Sequence, residues 1–170
     1  MSQLESTTRA LLSKLLAGDD FELDPEDQAT LSAWSFKTAV VSDLLGPDRT
    51  VPAVHVQEFY RSRRPPGGVY VHLSARRLLS PEAPIAQLRQ RDFVVSPFQL
   101  RAYKAVIAIG HGVIQVIGFP QTTNVRGTEL MALGAARIWP VADGGVAWPG
   151  DSSWITTEEA AASGRAFRLS

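Results

Sequence analysis

The feature that most constrains the fold of this chain is a change of hydrophobic period at Pro65-Pro66-Gly67-Gly68. Before this break, apolar residues recur every three to four positions, which is typical of amphipathic helices. After it, residues 69–73 alternate between apolar side chains and the pair Tyr70 and His72, which is the period of a half-buried strand. Because the break ends any helix, the two halves must form different kinds of element. The sequence therefore predicts an α+β fold, with an N-terminal helical layer packed on a mostly antiparallel β-sheet.

Three helices are predicted in the helical layer, which covers residues 3–62. The first spans 3–17 and stops at Gly18. The second begins at an Asp24 N-cap followed by Pro25, and ends at Gly46-Pro47. Its apolar residues are expected on roughly one face, with Trp34 buried between the layers; these residues are Leu31, Trp34, Val41, Leu44 and Leu45.

The third helix is predicted over residues 51–62, with Thr50 as its cap. Four of its side chains are available for packing: Val51, Val54, Phe59 and Tyr60. A short further helix is predicted over 81–90, where Ser80 and Pro81 form a start signal.

The sheet-forming part covers residues 69–150. Its clearest signal is a hairpin of strands 98–109 and 112–119 around Gly110-His111-Gly112. Alternation in the first of these strands places four residues on one face: Tyr103, Ala105, Ile107 and Ile109. Shorter strands are predicted at 136–139 and 145–148, and a terminal helix at 156–164.

Composition indicates one domain spanning residues 1–170, since 170 residues that are 45% hydrophobic can form a single sizeable core. The absence of cysteine excludes disulfides, thiolate zinc sites and cysteine nucleophiles, and favours a cytoplasmic location. No apolar run approaches the ~20 residues that a spanning helix needs, so no membrane contact is expected.

Charge is distributed unevenly although the net charge is zero. Residues 1–58 carry ten acidic and four basic side chains, for a net charge of −6, whereas residues 59–104 carry nine basic and two acidic ones, for a net charge of +7. Such asymmetry fits an acidic helical layer docked on a basic sheet within one molecule. It also fits an anionic partner, nucleic acid above all, for the basic segment.

The basic segment contains the candidate nucleic-acid-binding residues, which are Arg61, Arg63, Arg64, Arg76 and Arg77. Guanidinium groups match phosphate oxygens bidentately, and neighbouring tyrosines can stack on bases. The alternative is that these are ordinary surface and boundary residues of the sheet.

Catalytic signals are sparse. The three histidines, His55, His72 and His111, are 17 and 39 residues apart, which matches no metal-binding spacing, so neither a metal nor a cofactor is expected. If the chain is an enzyme, the candidates are His72 with Tyr70 on its strand face, and His111 in its glycine-flanked turn. The competing interpretation is that His72 is a hydrogen-bonded sheet residue and that His111 merely tolerates a turn with positive φ.

Several segments of the chain resemble the C-terminal region of bacterial HNH-endonuclease-like proteins. The segments are Met1 to Glu5, the Asp24 to Ala39 helix, Phe59 to Pro66, Val69 to Leu73 and Ile109 to Gly118, with the pair Ile138-Trp139-Pro140 and Val146-Ala147-Trp148-Pro149. In that family the Cys and His residues of the nuclease precede this region. The resemblance implies an accessory domain whose metal-binding nuclease part lies upstream of Met1, and none of its ligands is present here.

Three functions remain open. The first is a non-catalytic accessory or binding domain that contacts nucleic acid or a protein partner. The second is a small enzyme without a cofactor, with a His-containing pocket between helices and sheet. The third is an oligomeric interaction protein, with surface aromatics among Trp139, Trp148 and Trp154 at its interface.

Overall fold

A computed structural model describes residues 3–47, 49–76, 86–95, 100–120, 135–150 and 154–155. Its helices are α1 (Gln3–Ala17), α2 (Pro25–Leu45) and α3 (Ala53–Ser62). Its strands are β1 (Phe21–Leu23), β2 (Val69–Arg76), β3 (Ala86–Val95), β4 (Leu100–Ile109), β5 (Gly112–Gly118), β6 (Ala136–Trp139), β7 (Val146–Trp148) and β8 (Trp154–Ile155). Helices come first and a sheet follows, so the predicted α+β class is confirmed.

Two sheets are present in the described part of the chain. The larger has the order β3-β4-β5-β2-β6, with every neighbouring pair antiparallel, and β8 pairs in parallel with the end of β2. The smaller consists of β1 and β7, paired antiparallel. The predicted hairpin is therefore confirmed, but the two short late strands do not share a sheet, because β6 joins β2 whereas β7 joins a strand between α1 and α2 that the sequence did not predict.

Local signals place the helix ends. Gly18 follows α1 with a φ of +82° and its amide donates to the Lys14 carbonyl over 2.9 Å, which closes the helix in the left-handed conformation that glycine tolerates. The side chain of Asp24 accepts a hydrogen bond from the Asp27 amide over 2.8 Å, as expected for an N-cap. Thr50, however, does not cap α3: the N-cap is Pro52, and the Thr50 hydroxyl donates to Asp43 instead.

The buried face of α2 differs from the predicted one. Val41, Leu44 and Leu45 are exposed, Leu45 to 84%, and Trp34 is only half-buried. The buried residues of α2 are mostly small, polar or aromatic instead: Gln28, Leu31, Ser32, Ala33, Ser35, Phe36, Ala39, Val40 and Asp43. Small side chains let the helix approach the sheet closely, and internal hydrogen bonds satisfy the polar ones, so hydrophobicity alone did not identify this face.

Residues 86–90 lie in β3, so the predicted helix over 81–90 is wrong for this part, and residues 81–85 are outside the described ranges. Ala, Gln, Leu and Arg favour a helix locally. Ten consecutive residue pairs with β4, from Ala86 opposite Ile109 to Val95 opposite Leu100, override that preference. The predicted terminal helix at 156–164 lies outside the described residues.

The main core lies between the helices and one face of the larger sheet. Alternation and register put Val69, Val71 and Leu73 of β2 on this helix-side face, together with Ile114 and Val116 of β5. The opposite face, here called the second face, carries Tyr70, His72 and Ser74 of β2. Most of the second face is buried as well, so β2 and β5 are interior strands on both sides.

Candidate functional site

Three of the five candidate nucleic-acid-binding arginines lie together at the end of α3. Arg63 is the C-cap residue, with a left-handed φ of 58°, and its amide donates to the Phe59 carbonyl over 2.8 Å. The turn at Arg63 leads into the buried Pro65 and Pro66 and leaves Arg61, Arg63 and Arg64 exposed. Tyr60, which is 58% exposed, lies beside them, with the Arg63 guanidinium carbon 5.7 Å from the centre of its ring. We call Tyr60, Arg61, Arg63 and Arg64 the arginine cluster.

Arg76 does not belong to this surface. It is only 3% exposed, and its Nε donates to the Gly110 carbonyl over 2.7 Å while its amide donates to the His111 carbonyl over 2.7 Å. Arg76 therefore anchors the turn of the β4–β5 hairpin, and its burial lowers its pKa. Arg76 therefore shares no exposed face with Arg61, Arg63 and Arg64, because β2 continues three residues beyond the predicted strand and carries it inside. Arg77 lies outside the described residues.

His111 is a docking residue rather than an exposed turn residue. Its amide donates to the Leu15 carbonyl at the end of α1 over 3.0 Å, and its half-buried ring packs against Gly18, where an added Cβ would come within 2.8 Å of it. The positive φ in this turn belongs to Gly110, not to His111. The interpretation that His111 tolerates a positive φ is therefore wrong, and its contacts fix α1 on the hairpin; its candidate catalytic role stays a prediction.

His72 lies on the second face, away from the helices, so it cannot belong to a pocket between helices and sheet. It is 1% exposed, and neither ring nitrogen has a hydrogen-bond partner among the residues that the structure describes. Burial, and then the charges of Arg137 and Lys104, lower its pKa from 6.5 to about 4, so the ring is neutral at pH 7. Tyr70 shares this face, half-buried, with its ring edge-on to Phe119 at 6.2 Å.

A buried polar pair that the sequence did not identify links α3 to the sheet. The His55 Nδ1 and the Tyr103 hydroxyl form a hydrogen bond of 2.8 Å, and both residues are under 5% exposed. Burial, and then the charge of Asp43, raise the pKa of Tyr103, while burial lowers the pKa of His55 although Glu58 opposes this. The pair therefore stays neutral in the core. Tyr103 was the residue from which this pair could have been predicted. Its hydroxyl lies in a series of apolar, inward-facing residues and so needs a hydrogen-bond partner.

Asp43 completes the polar contacts around α3. Its Oδ1 accepts hydrogen bonds from the Thr50 amide and hydroxyl at 2.7 and 2.8 Å, and its Oδ2 accepts one from the Val51 amide at 3.2 Å. These bonds fix the segment that leads into α3, which is a structural role.

The surface of α1 and α2 contains a groove of about 300 Å³, lined by Glu5, Trp34, Lys37, Thr38, Val41, Ser42 and Leu45. An ion pair of 2.7 Å between Lys37 and Glu5 lies in its wall. This pair stays within the helical layer and does not join it to the sheet.

Neither Trp139 nor Trp148 is an exposed aromatic side chain. Trp148 is 3% exposed and packs on Phe21 with ring centres 5.3 Å apart, and Trp139 is half-buried against the core. Their role in the described ranges is to hold the small β1–β7 sheet and the β6 edge on the core, and the side chain of Trp154 lies outside those ranges.

Two further properties of the described residues bear on function. They contain no group of three or more His, Asp or Glu side chains placed to hold a metal ion. None of the helices in this part of the chain has the length and apolarity needed to cross a membrane.

Comparison with known proteins found no matching protein family, no matching curated protein and no matching solved structure.

Proposed function

We propose that this protein is a non-catalytic binding domain that contacts nucleic acid through the arginine cluster. The observation that carries the proposal is the exposure of three guanidinium groups and one tyrosine ring within a single turn at the end of α3. The buried Pro65 and Pro66 fix the chain that follows, so the cluster is held on a rigid element.

The chemistry of the cluster matches a nucleic-acid backbone. Guanidinium forks bind phosphate oxygens bidentately and are weakly hydrated, so they lose little when they leave water. The exposed ring of Tyr60 offers a stacking surface for an unpaired base, with Arg63 already placed against it. This combination favours single-stranded over double-stranded nucleic acid.

The small number of arginines in the cluster predicts weak binding of nucleic acid. Arg76 is buried elsewhere, so at most three arginines of the described surface can neutralise phosphates here. A net charge of zero gives no overall attraction, and the acidic residues before position 59 repel a polyanion. On the described surface, binding should therefore depend on the cluster. If the HNH-like resemblance holds, such a domain would help to position a nuclease part on its substrate.

The proposal is tested by measuring the affinity for short single-stranded and duplex DNA of two unrelated sequences over a range of salt concentrations. We expect weak binding that falls steeply with salt, because bound phosphates release counterions. In Arg63→Ala/Arg64→Ala, affinity should fall about equally for both sequences, and the salt slope should flatten by roughly one unit for each phosphate that the variant no longer binds. Tyr60→Ala should weaken single-strand binding more than duplex binding.

Arg9→Ala/Arg49→Ala is the matched control, since it removes two exposed arginines outside the cluster with the same change in net charge. An equal reduction of affinity in this control would show that general charge, not the cluster, attracts DNA, and salt-independent binding would show that phosphates are not bound. Magnesium-dependent cleavage by the pure protein would contradict a non-catalytic role.

A further inference from the structure

Polar side chains lie on the second face of the larger sheet on four neighbouring strands. Register places His72 of β2 directly opposite Gln115 of β5 on one side and Arg137 of β6 on the other. On β4, Lys104 pairs with Ile117 and so lies diagonally across from Gln115. Neighbouring strands are ~4.8 Å apart, so His72 and Gln115 are close enough to bind one small molecule, with Arg137 and Lys104 on the strands that flank them. We call Arg137, His72, Gln115 and Lys104 the polar row.

Two members of the polar row have unused hydrogen-bonding capacity. His72 and Gln115 are each 1% exposed, and both ring nitrogens of His72 and both amide atoms of Gln115 have no partner among the residues that the structure describes. Folded proteins satisfy the great majority of buried polar groups, because an unsatisfied one loses its hydrogen bonds to water and gains none in return. The unsatisfied side chains of His72 and Gln115, which lie directly opposite one another, therefore destabilise the folded state.

The surroundings of the row are ordinary sheet core. Val106, Ala108 and Val113 form an apolar cluster beside it on the same face. Apolar residues in place of His72 and Gln115 would fit such a face, so packing does not require the polar pair.

Two described residues bring positive charge to the row. Arg137 and Lys104 both disfavour protonation of the ring of His72. Burial lowers the pKa of Lys104 to about 8, so it remains mostly cationic at pH 7 although only 5% exposed. A row with two cations, an amide and a neutral imidazole supplies donors and positive charge together.

We infer that the polar row binds a small anion bearing a carboxylate or phosphate group, with Gln115 and His72 donating hydrogen bonds to it and Lys104 and Arg137 compensating its charge. The amide oxygen of Gln115 and the unprotonated nitrogen of His72 can accept hydrogen bonds, so the anion also carries a donor, as a hydroxy acid or a phosphate monoanion does. This site is separate from the arginine cluster and does not depend on the proposed nucleic-acid binding.

The test uses the full chain at neutral pH, with inorganic phosphate and lactate as probes of the two anion classes and sodium chloride holding the ionic strength constant. Binding to the folded state alone should raise the Tm by roughly 3–5 °C for each tenfold increase of anion above its dissociation constant. Phosphate also raises Tm non-specifically by exclusion from the surface, so the decisive reading is the difference between variants.

Gln115→Met removes both unpartnered amide atoms and keeps the length of the side chain. We expect this variant to be at least as stable as the wild type without anion, and to lose the specific rise of Tm with either probe. Gln57→Met, at an exposed position of α3, is the matched control and should keep the wild-type response.

Equal responses of wild type and Gln115→Met to both probes would overturn the inference. If Gln115→Met fails to fold, NMR of the wild type decides: movement of the His72 ring and Gln115 side-chain amide signals on addition of phosphate or lactate supports the site, and unchanged signals refute it. A response to one probe alone assigns the anion class.

Discussion

At the scale of single residues, the polar groups of the core fall into two kinds. His55 and Tyr103 satisfy one another, and the ring of Tyr103 lies over Gly118, where any Cβ would overlap it. His72 and Gln115 have no such partners in the described structure. The first pair stabilises the docking of α3 on the sheet, whereas the second leaves buried polar atoms without a partner among the described residues, which costs stability.

The hydrogen bond between His55 and Tyr103 can be tested with Tyr103→Phe. Removing the hydroxyl leaves His55 Nδ1 buried without its partner, so the free energy of unfolding should fall by about 1–3 kcal/mol. Urea denaturation measures this, with Tyr60→Phe on the exposed face of α3 as a control expected to change stability by less than ~0.5 kcal/mol. A Tyr103→Phe variant as stable as the wild type would show that the hydrogen bond contributes nothing.

At the scale of elements, α2 organises the helical layer through polar contacts as much as apolar ones. Its buried Gln28 donates to the Leu23 and Gly144 carbonyls at 3.1 and 2.7 Å and accepts from the Ala142 amide at 2.9 Å. One side chain thus connects the start of α2 to β1 and to the segment before β7. This explains why the small β1–β7 sheet forms at that end of the helix.

The N-terminus of α2 gives the prediction at this scale. Asp24→Ala removes the side-chain acceptor for the Asp27 amide and should lower the free energy of unfolding by about 1 kcal/mol. Asp20→Ala, an exposed position before β1, is the matched control and should change it by less than ~0.5 kcal/mol. The denaturant midpoints of the two variants are measured side by side. Equal midpoints would refute the capping role of Asp24.

At the scale of the whole molecule, burial of His72 on the sheet and of His55 on α3 makes stability depend on pH. The pKa of His72 is about 4 when folded and 6.5 ordinarily, so between these values the unfolded chain binds the proton more tightly. Stability should be fully present above pH 6.5 and fall by about 3 kcal/mol as the pH drops to about 4. Burial also lowers the pKa of His55, so this residue adds to the loss of stability at low pH.

Urea unfolding at a series of pH values measures this dependence. His72→Phe, which keeps a ring of similar size but cannot titrate, should show a distinctly smaller loss of stability over the same window, since the carboxylates titrate alike in both proteins. Parallel pH profiles for the variant and the wild type would mean that His72 is not the titrating group.

Features that depend on neighbouring residues could be predicted from the amino-acid sequence alone. Gly18, the Asp24 cap and the Pro65-Pro66 break placed the helix ends, and the Gly110-His111-Gly112 turn placed the hairpin, because φ preferences, capping hydrogen bonds and missing amides act within a few residues. The period change then indicated the α+β class. The exposed arginines at the end of α3 were also found this way, since they adjoin the break.

Features that depend on distant partners required the folded structure. Pairing with β4 made residues 86–95 a strand against their helix preference, and pairing with β1 moved β7 out of the larger sheet. The fold likewise buried Arg76, turned Val41 and Leu45 to the surface, joined His55 to Tyr103 and enclosed His72 with Gln115. Register and burial are set by contacts across the whole chain, and no local pattern of residues encodes which face another element will cover.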